Sequence, residues 1–291
     1  MMHLRVLQPH PNVLAFYDGR VPGYRFASGS NWVDDGALSL GIASYAIIDE
    51  AEALVYDTHV SIPHAKAIRE VLAARGVRRV TVVLSHWHLD HIAGNEVFTG
   101  CEIIACKRTA EHLSEHRSAI EAGAYEGPPP ISPLVMPTRT FEGRLPIVIG
   151  GLTTELLQFN IHSDDGVVLW CARDRLLLAG DTLEDTVTYV AEPENLAHHL
   201  PELDRLAGLY PARILPNHGS PDRIAAGGYG PDLIPATARY VGNLLSMKTD
   251  RARRNTPLRD LVAHDVINGT LEYYDGYESV HVNNVARVLV A

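Results

Sequence analysis

The segment SHWHLDHIAGN at 85–95 constrains the fold more than any other part of this chain. It places His86, His88, Asp90 and His91 directly after the apolar run RRVTVVLS, which is typical of a buried strand. Alternate residues of an extended segment point the same way, so the first three of these side chains share one side. Imidazole and carboxylate together suit zinc, manganese and iron(II). The segment therefore predicts a metal site at the end of a strand.

Three later segments repeat this form, in which a metal-binding residue directly follows a strand-like run. LLQFNIHSDDG contains His162, RLLLAGDT contains Asp181, and RILPNHGSP contains His218. A single histidine at a strand end is more often a hydrogen-bonded loop residue. Their occurrence together, after the first cluster, indicates that all of them converge on one metal-binding site.

The rest of the chain predicts an α/β (α+β) layered fold. Short strand-like runs fill the first third, and SIPHAKAIREVLAARG then has apolar residues at helical spacing. Strand-like runs resume in the middle of the chain, and the sequence after about residue 230 is mainly helical. We therefore predict a domain over 1–230 that holds the metal site and a C-terminal helical extension over 231–291, packed on the same domain.

With these motifs the chain resembles the metallo-β-lactamase fold superfamily of metal-dependent hydrolases. An upstream VYDT at 55–58 is similar to the first motif of that superfamily. The resemblance implies a four-layer αβ/βα sandwich with two metal sites between its halves. It also implies that Asp57 accepts a hydrogen bond from a ligand imidazole and that Asp90 is catalytic, orienting a hydroxide. The implied ligands are His86, His88 and His162 for one metal, Asp90, His91 and His218 for the other, and Asp181 as the bridge.

The implied activity is hydrolysis by a hydroxide that bridges two divalent ions, most simply Zn²⁺, with Mn²⁺ or Fe²⁺ as alternatives. Asp181 favours the glyoxalase II and lactonase-like branch over true β-lactamases, so a lactone, thioester or related carbonyl is the expected substrate. Small lactonases place a tyrosine where this chain has Glu184. The alternatives are a mononuclear iron enzyme similar to persulfide dioxygenases and, less favoured, a β-lactam-hydrolysing enzyme.

Two loops and a proline-rich segment are candidates for the substrate pocket. Trp32 in GSNWVDDG is expected to line it, as are Glu184 and Tyr189, which follow Asp181. Tyr229 lies among glycines that would let a tight loop carry it toward the site. The segment AYEGPPPISPLVMP at 124–137 is long and irregular, as functional loops often are.

The composition of the chain indicates which binding partners and which cellular compartment to expect. The formal net charge is −10, which disfavours nucleic acid. Three scattered cysteines do not form a disulfide framework, and no apolar run has the length of a membrane span. We expect a cytoplasmic enzyme with a small-molecule substrate, no nucleic-acid partner and no membrane contact. The aromatic segment EYYDGYESVH leaves a homodimer open.

Overall fold

The computed structural model of the chain describes residues 2–291. Within this range the strands form two sheets, one ordered β1-β2-β3-β4-β5-β6-β7 and the other ordered β12-β11-β10-β9-β8. The strands are β1 Arg5–His10, β2 Val13–Asp18, β3 Ile42–Asp49, β4 Glu52–Tyr56, β5 Arg79–Val83, β6 Glu102–Cys106, β7 Arg139–Phe141, β8 Arg144–Ile149, β9 Leu152–Ile161, β10 Ser163–Cys171, β11 Leu176–Gly180 and β12 Arg213–Pro216.

The helices cover the outer faces of the sheets. They are α1 Ile62–Ala74, α2 Leu89–Ile92, α3 Lys107–Glu121, α4 His199–Ala207, α5 Pro221–Ala225, α6 Leu233–Ser246, α7 Leu258–Leu261, α8 Ala263–Ile267 and α9 Tyr277–Val290. A π-helical turn at Val33–Leu38 precedes β3.

Three apolar clusters show how the layers pack. The inner faces of the two sheets share one cluster that includes Leu54 and Leu178. The outer face of the seven-stranded sheet packs on α1 and α3 through residues such as Ile68. The outer face of the five-stranded sheet packs on α4, α6 and α9 through residues such as Val241 and Val288. Helix, sheet, sheet and helix form four layers, so the predicted sandwich fold is confirmed.

Helix α1 illustrates how the sequence specifies an element. Ser61 precedes it in extended conformation and accepts a hydrogen bond at the first turn, where Pro63 lacks an N–H that would otherwise need a partner. Ile68 and Leu72 lie one turn apart and are fully buried. Gly76 follows at φ 81°, a conformation that favours glycine and that ends the helix.

Strand direction brings several loops to one edge of the sandwich. β4, β5 and β6 run parallel in the first sheet, and β11 and β12 run parallel in the second. The carboxyl ends of neighbouring parallel strands meet at one sheet edge, so the loops that follow them lie close together. The hydroxyls of Tyr56 and Tyr45 donate across the sandwich to the carbonyls of Val167 and Pro216. These bonds hold the two sheet edges in fixed relation.

Two details differ from the sequence prediction, and one prediction stays open. β7 is only three residues long and has too little pattern to be recognised. The mainly helical C-terminal sequence is also not continuous over 257–269, where it is broken at Val262 into α7 and α8. α6 and α9 contribute to the same apolar cluster as β9 and β11, while the boundary at residue 230 stays a prediction. No helix within residues 2–291 is long and apolar enough to span a bilayer.

Candidate metal centre

The predicted ligands converge at the sheet edge where the two parallel strand pairs end. The first cluster follows β5, with His86 and His88 in a loop and the other two in α2. The remaining three lie in the turns directly after β9, β11 and β12. All are buried or half-buried, and together they are His86, His88, Asp90, His91, His162, Asp181 and His218.

Three imidazoles form one half of the centre. The Nε2 atom of His86 lies 2.9 Å from Nδ1 of His88, and Nε2 of His162 lies 3.0 Å from the same atom. Such nitrogens repel one another unless a proton or a cation lies between them. This group of three therefore has the donor set and spacing of a cation site.

One carboxylate and two imidazoles form the other half. Asp90 places Oδ1 3.5 Å from Nε2 of His91 and Oδ2 3.3 Å from Nε2 of His218. The three ligand atoms lie within 4.8 Å of one another. An oxygen and two nitrogens in this arrangement are a second set of ligands for a divalent ion.

Asp181 lies between the two groups. Its Oδ2 atom is 3.6 Å from Nε2 of His86 and 3.8 Å from Nε2 of His162 on one side. On the other side it is 3.2 Å from Nε2 of His91 and 3.4 Å from Nε2 of His218. A single carboxylate oxygen thus faces ligand atoms of both groups.

Each group contains imidazoles whose second nitrogen is held in place. His91 Nδ1 is 2.9 Å from Oδ2 of Asp57, the residue that the sequence assigned to this role. His86 Nδ1 contacts the Ser85 hydroxyl at 2.9 Å, and His218 Nδ1 contacts the Gly41 carbonyl at 2.8 Å. Such partners fix the ring orientation and leave the opposite nitrogen free to bind a metal.

Asp57 organises this support from a strained position. Its φ is 67°, which is uncommon for a residue with a side chain. The carboxylate accepts from the Ser85 backbone N–H and hydroxyl and from the Asn217 amide, each at 2.6 Å. Sequence reasoning missed Ser85 and Asn217, although each directly precedes a ligand histidine.

Gly180 allows Asp181 to enter the centre. Its φ is 57°, in the left-handed region. A Cβ atom on this residue would lie 2.9 Å from the Ser85 Cβ and 2.9 Å from the Tyr56 hydroxyl. Only glycine therefore fits this turn without displacing the strand end that carries the first cluster.

Without a metal ion, the carboxylates and the histidines of the centre balance one another's charge. Burial by itself would lower the pKa of His91, but the nearby carboxylates, Asp181 above all, raise it well above its usual value. The pKa of His218 is raised in the same way against its own burial. Burial lowers the pKa of His88 to about 3, so this ring is neutral. The carboxylates thus favour positive charge at this point of the centre.

Two buried atoms of the centre make no hydrogen bond among residues 2–291. They are Nε2 of His91 and Oδ1 of Asp181. Buried polar atoms normally have partners, so each such atom needs a specific explanation. A divalent ion would give Nε2 of His91 a partner, because that nitrogen is a ligand atom in the geometry above, and Oδ1 belongs to the carboxylate whose other oxygen faces both groups. The residues present therefore fit a metal centre.

A cavity of about 230 Å³ opens onto this centre. Trp32, Glu184 and Tyr189 line it, as the sequence predicted, and Glu126 of the proline-rich segment lines it as well. The C-terminal helix α9 contributes the remaining wall through Ser279, Val280 and Asn283. Sequence reasoning missed this wall, because α9 follows the last ligand by some sixty positions.

Glu184 occupies a buried position against a ligand. One carboxylate oxygen accepts from the Tyr189 backbone N–H at 2.9 Å and lies 3.6 Å from Nδ1 of His162. The other accepts from the Tyr277 hydroxyl at 3.1 Å. Burial would lower the pKa of His162, but the nearby Glu184 carboxylate raises it. The Tyr189 carbonyl lies 3.1 Å from Nδ1 of His162 and orients this ring, while Glu184 holds the Tyr189 backbone and lines the cavity.

The prediction that Tyr229 lines the pocket is wrong. Its loop turns back on β12, where Tyr229 pairs with Ile214, and its side chain is only 1% exposed. Its hydroxyl donates to Asp185 at 2.7 Å and accepts from the Ser220 N–H at 2.8 Å. Gly228, at φ 87°, permits this turn because a Cβ there would lie 2.3 Å from the Ile214 carbonyl oxygen.

Comparisons with known sequences identify distant relatives. The "Beta-lactamase-like protein 2 homolog" of Caenorhabditis elegans is 25% identical over 188 residues, which are 62% of this chain and 56% of that protein. A "Hydroxyacylglutathione hydrolase" of Methylobacterium sp. (strain 4-46) is 24% identical over 127 residues, 43% of this chain and 42% of that protein. The chain spans about half the length of these relatives. The second relative fits the glyoxalase II-like branch.

Solved structures of similar shape are metallo-β-lactamases. The enzyme from Pontibacter korlensis superimposes with a TM-score of 0.63 at 17% identity, covering 83% of this chain and all of that one. The DIM-1 metallo-β-lactamase gives a TM-score of 0.63 at 16% identity, covering 83% of this chain and 99% of that one. At these identities the likeness concerns the fold alone.

A family model completes the comparison. The model described as "Metallo-beta-lactamase superfamily" matches residues 39–218, a range that contains every ligand position. This match covers more than half of the chain and agrees with the four-layer fold and with the metal-binding clusters. The chain therefore belongs to the metallo-β-lactamase superfamily.

Proposed function

We propose that the protein is a binuclear metal-dependent hydrolase that cleaves a neutral ester or lactone. The proposal of two metal ions rests on the position of Asp181 Oδ2, which lies within 3.8 Å of four imidazole nitrogens from both ligand groups. A carboxylate oxygen shared in this way is the natural bridge between two cations. Zinc suits these nitrogen and oxygen ligands best, with manganese and iron(II) as alternatives.

Two divalent ions held there would lower the pKa of a water molecule toward about 7 and polarise the scissile carbonyl. Asp90 is the carboxylate best placed to use that water. Its side chain is 19% exposed and lines the cavity, whereas the imidazoles of His86 and His91 lie behind it. Burial opposes ionisation, yet His91 and His218 lower the pKa of Asp90 to about 2. The ionised carboxylate orients the nucleophile and accepts its proton before passing it to the leaving group.

The charge of the cavity wall supports an uncharged substrate. Within residues 2–291, no lysine or arginine lines the cavity, and outside the ligands its acidic groups are Asp35, Glu126 and Glu184. Arg25 pairs with Asp35 at 3.0 Å, and Glu184 is bonded as described. Burial and the nearby Asp90 raise the pKa of Glu126 to about 7, so this side chain adds a negative charge at the mouth above that pH. A substrate that carries its own carboxylates, such as a glutathione thioester, would meet repulsion rather than a cationic partner.

Activity assays on the zinc-loaded enzyme test this proposal. We expect turnover of neutral lactones and aryl esters to exceed turnover of S-acylglutathione and of a chromogenic β-lactam. At about pH 8, above the raised pKa of Glu126, Glu126→Gln should raise kcat/KM for the anionic thioester about fivefold, equivalent to about 1 kcal/mol, and leave neutral esters unchanged. Glu142→Gln is a suitable control, because that side chain is 74% exposed and lies outside the cavity.

Two results would count against the proposal. Preference for the anionic thioester in the wild-type protein would contradict the substrate class while leaving hydrolysis intact. Oxygen consumption on persulfides with a single bound iron would instead favour the dioxygenase alternative. The two outcomes are distinguishable because only the second involves an oxidant.

A further inference from the structure

Helix α3 carries a second cluster of side chains that can bind a metal. His112 and His116 lie four positions apart, so they project from the same face of the helix one turn apart. Glu115 lies on the adjoining position, and one ligand atom from each of the three residues lies within 4.8 Å of the others. The cluster shares no residue with the centre described above.

Two carboxylates from neighbouring elements approach the same histidine. Oδ1 of Asp164 in β10 is 2.7 Å from Nε2 of His112. Glu192 lies within the same 4.8 Å limit and accepts from the Asp164 backbone N–H at 3.2 Å. Arg108 pairs with Asp164 and supplies one positive charge. Asp164, Glu192 and Glu115 together carry more negative charge than Arg108 compensates, and this excess attracts cations.

The ring of Trp87 packs against both imidazoles and restricts their rotation. Its ring stacks on His112 at 5.1 Å and 22° and on His116 at 4.9 Å and 18°. Both rings therefore lie roughly parallel to one aromatic surface, and their rotamers are fixed before any ligand arrives. Rings that are already oriented lose less conformational entropy on binding.

We propose that His112, Glu115 and His116 bind a divalent transition-metal ion at a site separate from the binuclear centre. Two histidines one helical turn apart form a chelate for zinc-like ions, and a carboxylate supplies the third ligand. Asp164 would then orient His112, as carboxylates commonly do by accepting from the second nitrogen of a metal-binding histidine. The indole of Trp87, which belongs to the same loop as His86 and His88, would lie between this ion and the binuclear centre.

The ordinary explanation is a simple ion pair between His112 and Asp164. The hydrogen bond that Asp164 accepts from His112 raises the pKa of His112, as expected for such a pair. That pair requires neither His116 nor Glu115. Removal of His116 therefore separates the two explanations without disturbing the pair.

Metal counting gives the first test. Untagged, metal-free protein is dialysed against a buffer of fixed free zinc, and bound zinc is measured by mass spectrometry. Wild type should bind one more zinc per chain than His116→Gln, whatever the number held at the binuclear centre. His264→Gln, which replaces a histidine whose side chain is 73% exposed, should equal the wild type. Equal zinc in wild type and His116→Gln would overturn the proposal.

Tryptophan fluorescence gives a second, independent measurement. With the binuclear centre already filled with zinc, added Ni²⁺ should quench Trp87 in the wild type with a saturable midpoint. His116→Gln should lose this phase, and Asp164→Asn should shift the midpoint on the order of 10- to 100-fold. The same midpoint in wild type and His116→Gln would show that the cluster is only an ion pair. Neither measurement depends on the identity of the substrate.

Discussion

Replacement of Asp90 by asparagine tests the assigned chemistry most sharply, because it removes one charge and almost no volume. Each carboxylate oxygen lies near one imidazole nitrogen, 3.5 Å from His91 and 3.3 Å from His218. Asparagine has only one acceptor oxygen, so its NH₂ group would face a nitrogen that must stay unprotonated to bind a metal. The variant also has no carboxylate to accept a proton from the nucleophile.

The expected loss in kcat/KM is about 10²- to 10⁴-fold, the usual contribution of a positioned acid or base. This corresponds to about 3 to 5 kcal/mol of transition-state stabilisation. The assay is steady-state hydrolysis of the best neutral ester at saturating metal, with bound metal measured in the same samples. The metal-free variant should unfold at a lower temperature than the wild type, because asparagine cannot compensate positive charge on His91 and His218.

Near-wild-type kcat/KM in a fully loaded Asp90→Asn variant would refute this reasoning. It would mean that the metals alone orient the nucleophile and that Asp90 is only a ligand. A loss that disappears when more metal is added would lead to the same conclusion. Glu142→Gln, which changes an exposed carboxylate outside the cavity, controls for a general effect of charge.

Three further outcomes follow from the contacts of the centre. Asp57→Asn should weaken metal affinity about 10- to 100-fold in chelator competition, because His91 loses the carboxylate that orients it; unchanged affinity would contradict this. Metal affinity should also fall with falling pH, since the raised pKa values of His91 and His218 mean that an ion must displace their protons; titration calorimetry at several pH values measures this. Burial raises the pKa of Asp185 to about 7 in the folded chain, so stability is lost as the pH rises from the unfolded value of about 4 to about 7. Asp185→Asn removes this loss. In urea unfolding, its free energy of unfolding relative to that of the metal-free wild type should therefore rise by on the order of 2 kcal/mol between about pH 5 and about pH 8. A difference that does not vary with pH would contradict this.

The sequence predicted the ligand positions because each obeys a local rule. A polar residue after an apolar run must lie at a strand end, and parallel strands bring such ends to one edge. Asp57, His162 and Asp181 all follow this rule, and the structure brings them together with the first cluster. The four-layer fold was predictable for a related reason, since strand-like runs with helices between and after them have few ways to bury their apolar faces.

The walls of the cavity depend on contacts that no local pattern contains. Tyr229 has glycine neighbours that indicate a turn, but the sequence does not say that the turn folds back on β12 and buries the ring. Glu184 reaches its position through Tyr277, which is 93 residues further along the chain. Asn283 reaches the cavity only because α9 packs on the second sheet. Such features follow from tertiary packing and not from residue periodicity.

Metal titration of the metal-free protein tests the central claim most directly. Zinc is added in fractional equivalents to the wild type and to His116→Gln, and hydrolysis and bound metal are measured at each step. In His116→Gln, which lacks the proposed separate site on α3, binding should saturate near two ions per chain, with most activity appearing as the second ion binds. Asp181→Ala, which removes an oxygen that faces both ligand groups, should bind less metal and lose this step. Full activity at one ion per chain, or undiminished binding in Asp181→Ala, would contradict the account.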